Sequence, residues 1–209
     1  MACDKWSQQP VVPFVLAQLP EQSCRAEEFT EMCAFPVVYN EEVRLGAVAG
    51  SCLSHIIDDP RLDRLTRLAA YVTGCPVSLI TTVNTMVELN SMHGLLKARV
   101  PRRFSREMSI CNYTILEQDI FVVEDTLLDS RFHDKASVIG YPFIRFYAGV
   151  PLVNAAAHRL GSLCVIDHAP RQLENSQLLA LRDLGATVSE LMKGIQAESE
   201  HARAPAKLP

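Results

Sequence analysis

The chain has 209 residues, of which 48% are hydrophobic and 21% charged, and its formal net charge is −4. This length predicts one domain, or one domain with an appendage. The small acidic charge argues against bulk nucleic-acid binding, and no apolar run approaches the roughly 20 residues of a membrane-spanning helix. The N-terminus lacks the basic start of a secretory signal, and the seven cysteines are scattered, so the sequence favours a cytoplasmic protein with reduced thiols.

The first predicted helices follow an N-terminal segment of a different character. Residues 1–36 contain an apolar stretch interrupted by prolines and are predicted to form an extended arm. A helix is expected over Glu41–Ile57. The next helix is expected to begin at Pro60 with Asp59 as its cap, because aspartate accepts bonds from free amides and proline suits the first position. Gly74 is predicted to end that helix.

Five strands are predicted from runs of β-branched and apolar residues. These runs cover Pro76–Val83, Asn84–Met92, Ile120–Glu124, Ile144–Leu152 and Arg159–Asp167. Only a short turn separates the last two strands, so an antiparallel hairpin is the simplest connection between them.

Two short helices and a basic segment are predicted between the strands. Lys97–Arg106 contains five basic residues, and we interpret it as a solvated loop rather than a phosphate-binding patch because no aromatic ladder accompanies it. Ser109 is predicted to cap a helix that runs to Glu117. Asp129 is predicted to cap another short helix that ends at Val138.

The final predicted helix begins near Asn175 and carries an apolar stripe. Its residues are spaced by 3, 4, 3 and 4 positions: Leu181, Leu184, Val188, Leu191 and Ile195. This spacing is typical of a coiled-coil seam, although it covers only about two heptads. A helix packed on its own sheet needs a similar stripe. We predict a homodimer formed through this helix, and a frayed tail at residues 199–209.

Side chains of the strand at Ile144–Leu152 should alternate between the two faces of the sheet. One face presents Arg145, Tyr147 and Gly149, which we interpret as a wall of a small pocket. Arg145 either contacts a ligand or pairs with Asp125 or Asp129. We favour the pairing, because a buried guanidinium needs a counter-charge. The other face should pack on a helical layer through Ile144, Phe146, Ala148, Val150 and Leu152.

Four motifs support a family resemblance: Ser109-Ile110-Cys111, Asp129-Ser-Arg131-Phe132, the strand at Ile144–Leu152, and Gly161–Asp167 followed by Pro170-Arg171. Together they resemble the GAF domains of bacterial sensor histidine kinases and diguanylate cyclases, over roughly residues 36–198. The resemblance implies an α+β, PAS-related fold with a central, mainly antiparallel sheet. The terminal helices should cover one face, and loops and short helices the other. We assign the GAF domain to residues 37–198.

The resemblance implies a non-enzymatic domain that senses a small molecule or mediates regulatory association, acting in trans on a partner. The expected ligand-binding residues are Tyr147, Arg145, Gly149, Cys111, Asp125, Asp129 and Arg131. Asp125–Arg131 and the helix bearing Cys111 should close the pocket. One cation, one phenol and apolar surroundings suit a small organic anion or a planar heterocycle. The histidines and cysteines lack metal-site spacing, and no cofactor is identified.

Two alternative functions remain open from the sequence. Some GAF proteins reduce free methionine sulfoxide, and Cys111 near a helix start is expected to have thiolate character. However, no resolving cysteine lies between residues 126 and 150, and Cys164 is interpreted as a core residue of its strand. The other alternative is a degenerate dimerisation module with a filled pocket, because Asn84–Met92 departs from the family pattern.

Overall fold

A computed structural model describes residues 35–51, 53 and 56–203; nearly all of the predicted arm, and the end of the predicted tail, lie outside these residues. The described residues form one six-stranded, fully antiparallel sheet. Its strands are β1 (Val77–Val83), β2 (Met86–His93), β3 (Arg103–Ser105), β4 (Phe121–Val123), β5 (Phe146–Val153) and β6 (Arg159–Asp167). Their order is β3-β2-β1-β6-β5-β4. The predicted α+β class and the hairpin of the last two strands are therefore confirmed.

Helices cover the sheet unequally. The helices are α1 (Glu41–Gly50), α2 (Pro60–Thr73), α3 (Cys111–Thr114), α4 (Ala136–Ile139) and α5 (Asn175–Arg203). The three longer ones, α1, α2 and α5, pack on one face, where the apolar core includes Phe146, Ala148, Val150 and Leu152. The two short helices and the connecting loops cover the other face. None of the described helices is both long and apolar enough to span a membrane.

Helix α2 has the ends that its sequence predicts. The Asp59 carboxylate accepts a 2.8 Å hydrogen bond from the backbone amide of Arg61, and Pro60 occupies the first position. Gly74 ends the helix with φ at 66°, a left-handed conformation that glycine adopts without steric cost.

Two other helices are shorter than predicted, for local reasons. Helix α1 ends at Gly50 rather than Ile57, because the hydroxyl of Ser51 donates back to the Val48 carbonyl at 2.6 Å and satisfies it outside the helix. Helix α3 has only four residues, since the amides of Leu116 and Glu117 bond to carbonyls three residues back rather than four. The expected helix from Asp129 likewise begins only at Ala136.

The basic segment Lys97–Arg106 is not the solvated loop that we expected. Four of its five cations, all but Arg99, pair with a carboxylate from another part of the chain, and Arg106 is buried at 2% exposure. Lys97 and Arg102 contact Asp58 at 2.9 and 2.6 Å, and Arg103 lies 3.1 Å from Glu88. The charges of this segment therefore fix it onto the domain.

A buried ion network joins this segment to helix α1. Glu41 accepts hydrogen bonds from Arg44 at 2.6 and 2.9 Å and also contacts Arg106. All three side chains are more than nine-tenths buried. Arg106 further donates to Asn112 at 2.7 Å, which positions the start of α3.

The apolar stripe of α5 faces mainly into its own chain. Leu181, Val188 and Ile195 are buried in the core between the helices and the sheet, whereas Leu184 and Leu191 are only partly buried. Leu184 and Leu191 also pack against this core, but each keeps part of its surface exposed.

Candidate functional site

The face of the sheet opposite the long helices contains a cavity of about 80 Å³. Its floor is formed by strand residues, and its cover by the segment after β2, the start of α3 and the loop before β5. The lining is almost wholly apolar, and it includes Leu79, Leu89, Val100, Phe104, Ile110, Ile144, Tyr147 and Ile166. The cavity lies beside Tyr147, where the sequence predicts a pocket.

Tyr147 is a buried polar residue of the cavity lining. Its side chain is 1% exposed, and its hydroxyl shares a 2.6 Å hydrogen bond with Thr114 of α3. Burial raises the pKa of Tyr147 well above its ordinary value, so the phenol stays protonated. Gly149 makes this arrangement possible, because a Cβ at that position would lie 2.5 Å from the Tyr147 oxygen.

Cys111 also lines the cavity, and it has a partner that the sequence did not reveal. Its sulfur lies 3.9 Å from the sulfur of Cys164 on β6, and both thiols are buried. The hydrogen bond between them and burial together raise the pKa of Cys164 well above its ordinary value. The hydrogen bond from Cys164, with further bonds from Ser162, Tyr147 and Thr81, lowers the pKa of Cys111 against the opposing effect of burial.

Cys111 lies at a helix start, as predicted. However, α3 has only four residues, so its dipole is too weak to explain the lowered pKa of Cys111. The Ser109 hydroxyl accepts a 3.1 Å hydrogen bond from the Cys111 amide, as expected of a capping residue. Cys164 is a core residue of its strand, as predicted. The prediction did not include its contact with Cys111, which follows from the alternation of side chains along β6.

The predicted pairing of Arg145 with Asp125 or Asp129 is wrong. The Arg145 guanidinium instead donates to the backbone carbonyls of Val138 and Ile144 at 2.8 and 2.9 Å, and within the described residues it forms no ion pair. It is partly exposed and does not line the cavity. Because β5 begins only at Phe146, the alternation that we extended back to Ile144 ends before Arg145. Ile144 accordingly lies on the cavity side rather than against the long helices.

The loop of Asp125–Arg131 does not close the cavity. Asp129 pairs with Arg131 at 2.6 Å, and the Arg131 guanidinium lies about 5 Å from the ring centres of Phe121 and Phe132. Asp125 accepts from the backbone amide of Leu127. These contacts hold the loop over the aromatic cluster beside the cavity, so its residues shape the fold there.

The residues that do close the cavity were missed. Arg99 and Phe104 come from the segment that we interpreted as a loop, Met108 follows that segment, and Tyr141 and Pro142 precede β5. Arg99 is the charged side chain of the lining, and its guanidinium lies 5.6 Å from the centre of the Tyr141 ring. It forms no ion pair with a carboxylate in the described part of the chain. The mixture of arginines and apolar residues after β2 was the sequence feature that could have indicated a segment covering the cavity.

Replacement of Arg145 by methionine is expected to lower the free energy of unfolding by only about 1–2 kcal/mol. The change removes two hydrogen bonds that a partly exposed guanidinium donates to backbone carbonyls, and it strands no buried carboxylate. Chemical denaturation of both proteins measures the difference. A loss of 3 kcal/mol or more would show that Arg145 has a structural charge partner after all. Exposed Arg67→Met, in α2, is the control and should have no measurable effect.

Comparison with known proteins identifies a family and a set of structural relatives. The family model described as "GAF domain" matches residues 59–191. A cyclic di-GMP phosphodiesterase of Pseudomonas aeruginosa is 44% identical over 97 residues, which is 46% of this chain. The match spans only 16% of that relative's length.

Two solved structures show the same fold at low identity. The blue-light-absorbing form of the PixJ GAF domain from Thermosynechococcus elongatus has a TM-score of 0.54 and 14% identity, covering 83% of this chain and all of that one. The free methionine-R-sulfoxide reductase of Neisseria meningitidis, solved with its substrate, has a TM-score of 0.51 and 15% identity, covering 74% of this chain and 88% of that one. At such identities the likeness establishes the fold alone.

Proposed function

The chain belongs to the GAF domain family, and we propose that it is a non-enzymatic sensor that binds a small organic acid and acts in trans on a partner. The observation that carries the proposal is the cavity beside Tyr147, which is apolar inside and has one cation, Arg99, in its lining. The acid proposed here belongs to the class of small organic anions expected from the sequence, but Arg99 rather than Arg145 supplies the positive charge.

The size and lining of the cavity restrict the ligand further. Its volume of about 80 Å³ is roughly half that of the ~150 Å³ apolar cavity known to take benzene. A short alkyl or similar apolar group therefore fits inside. The partly exposed residues Leu95, Arg99 and Val100 lie in the lining, so a carboxylate on the same molecule would remain beside the guanidinium. Straight-chain carboxylic acids of a few carbons are the simplest molecules with this form.

A thermal-shift series tests this proposal. Straight-chain carboxylates of increasing length are compared with the alcohols of the same length, using the whole chain. The carboxylates should raise the melting temperature more than the matched alcohols at millimolar concentrations, because only they pair with Arg99. A series in which no carboxylate changes the melting temperature would contradict the proposed ligand class.

Two variants separate the contributions of the charge and the cavity. Arg99→Met should abolish the advantage of carboxylates over alcohols while leaving the alcohols effective. Val100→Phe should weaken both series, because the larger ring occupies the partly exposed part of the lining. Exposed Arg67→Met is the charge control and should leave both series unchanged.

We also propose that the protein is a homodimer through α5. Leu184 and Leu191 are the two stripe residues that keep exposed surface on this helix. Leu184→Asp and Leu191→Asp should give folded monomers by light scattering. Arg182→Ala is the control, because it changes the exposed side of the same helix and removes only a surface ion pair with Asp119. A wild-type monomer at high micromolar concentration would contradict the dimer.

A second candidate function is a thiol-dependent redox enzyme that uses Cys111. The proximity of Cys164 favours it, because a second thiol 3.9 Å away supplies the partner that the sequence appeared to lack. Turnover of free methionine sulfoxide with a dithiol reductant, lost in Cys111→Ser, is the measurement that supports this candidate. Absence of turnover in the wild-type protein would contradict this candidate.

A further inference from the structure

We propose that Cys111 and Cys164 are a redox-modification site, at which a small hydroperoxide that enters the cavity converts the two thiols into a disulfide. The inference is separate from the proposed organic-acid ligand, because it concerns a stoichiometric change in the protein's own sulfurs. It also differs from methionine sulfoxide turnover, because the oxidant is a hydroperoxide and no catalytic cycle is required.

The geometry of the pair is the first support. The two sulfurs are 3.9 Å apart, and a disulfide requires about 2.05 Å. Cys111 is the first residue of α3, a helix of four residues that packs on β5 and β6. Cys164 lies in the middle of β6, between β1 and β5. Closing the gap therefore requires side-chain rotation and a small movement of a short helix, not a change in the sheet.

Access to the pair is the second support, and it is asymmetric. Cys111 is 5% exposed and belongs to the cavity lining, whereas Cys164 is fully buried behind it. A small uncharged oxidant entering the apolar cavity would meet Cys111 first. Cys75, the third thiol that the structure describes, is buried on the other side of the sheet and does not line the cavity.

The polar groups around the sulfurs are the third support. Thr81 and Ser162 share a 2.9 Å hydrogen bond next to the pair, and Tyr147 reaches it from β5. These hydroxyls and the Cys164 thiol lower the pKa of Cys111, whereas burial raises the pKa of Cys75. Since the thiolate is the nucleophile, Cys111 is the sulfur that reacts first.

The reaction balances in two steps. The Cys111 thiolate attacks one oxygen of the hydroperoxide, the O–O bond breaks, and the departing oxygen takes a proton to leave as water or an alcohol. Cys111 is then a sulfenic acid. The Cys164 sulfur attacks the Cys111 sulfur, the S–O bond breaks, and the hydroxyl leaves as water with the proton of the Cys164 thiol. In total, two thiols and one hydroperoxide give one disulfide, one alcohol or water, and one water.

The disulfide would connect α3 to the central strand of the sheet at the base of the cavity. Cys111 and Tyr147 both line that base, and Tyr147 is hydrogen-bonded to Thr114 at the end of the same helix. Oxidation would therefore change the cavity wall without reaching the long helices on the opposite face. A dithiol reductant reverses the change.

Peptide mapping of the wild-type chain tests the inference. Reduced protein is treated separately with hydrogen peroxide and with tert-butyl hydroperoxide at low molar excess, alkylated under denaturing conditions, and digested without reductant. We expect a cross-linked pair of peptides containing Cys111 and Cys164, two hydrogens lighter than their sum and lost after dithiothreitol treatment. Cys75 should remain alkylated, and it is the internal control for a buried thiol.

Two variants test the order of events. Cys164→Ala should stop the reaction at the sulfenic acid of Cys111, which dimedone traps. Cys111→Ala should leave Cys164 as a free thiol, because Cys164 has no access to the cavity. If neither oxidant yields the Cys111–Cys164 peptide in the wild-type chain, or if Cys75 is oxidised as fast as Cys111, the inference is wrong. The wild-type result decides this even where a variant fails to fold.

Discussion

Replacement of Glu41 by glutamine is expected to lower the free energy of unfolding by about 3–5 kcal/mol. The carboxylate is 8% exposed and lies between Arg44 and Arg106, each 2% exposed. Neutralising it leaves two buried guanidinium groups without the negative charge that lies between them, and an uncompensated buried charge is far costlier than a lost surface pair. Urea denaturation of the wild-type and variant chains measures the loss.

Glu42→Gln is the matched control, because Glu42 is the next residue of α1, carries the same carboxylate and is exposed. It should change the free energy of unfolding by less than about 0.5 kcal/mol. Equal effects of the two substitutions would show that the general acidity of α1, rather than the buried network, stabilises the domain.

The same network predicts how stability depends on pH. Burial alone would raise the pKa of Glu41, but the hydrogen bonds and charges of Arg44 and Arg106 outweigh it and hold that pKa below its ordinary value. A carboxyl group with a lowered pKa stabilises the folded state above its unfolded pKa of about 4.3, and this contribution disappears as the pH falls through the folded pKa. The difference in unfolding free energy between wild-type protein and Glu41→Gln should therefore be largest near neutral pH and shrink in acid.

The sequence predicted those parts of the fold that depend on local chemistry. The ends of α2 follow from Asp59, Pro60 and Gly74, whose preferences act over a few residues. The alternation of β5 and β6 followed from the period of a strand, and it correctly put Tyr147 and Phe146 on opposite faces.

The missed parts depend on contacts between residues that are distant in the chain. Residues 97–106, which form part of the cavity cover, were interpreted as a solvated loop. Their own sequence does not indicate that Asp58 and Glu41 form ion pairs with them. The Cys111–Cys164 pair was missed for the same reason, since 53 positions separate the two sulfurs. Arg145 was misplaced because the alternation was extended two residues before the start of the strand.

Replacement of Gly161 by alanine should destabilise the domain by about 3 kcal/mol or more, at the upper end of the cost of overpacking. Gly161 begins the motif that ends at Asp167, and it pairs with Thr82 on one side and Leu152 on the other. A Cβ there would lie 1.8 Å from the backbone carbonyl oxygen of Thr81. A backbone atom in the centre of a sheet has no rotamer to change, so β1 and β6 would have to separate locally.

Gly46→Ala provides a control of opposite sign. Gly46 lies in α1 and is exposed, and a Cβ at that position meets nothing within 4 Å. Because glycine is unfavourable inside a helix, the alanine should stabilise the domain by about 0.5–1 kcal/mol. Thermal and urea denaturation of the wild-type, Gly161→Ala and Gly46→Ala proteins measures both changes in the free energy of unfolding. A Gly161→Ala protein whose free energy of unfolding is within about 1 kcal/mol of wild type would contradict the close approach of β1 and β6. Gly161 and Cys164 lie three residues apart on β6 and both pair with β1, so separation of these strands should also slow formation of the disulfide proposed above.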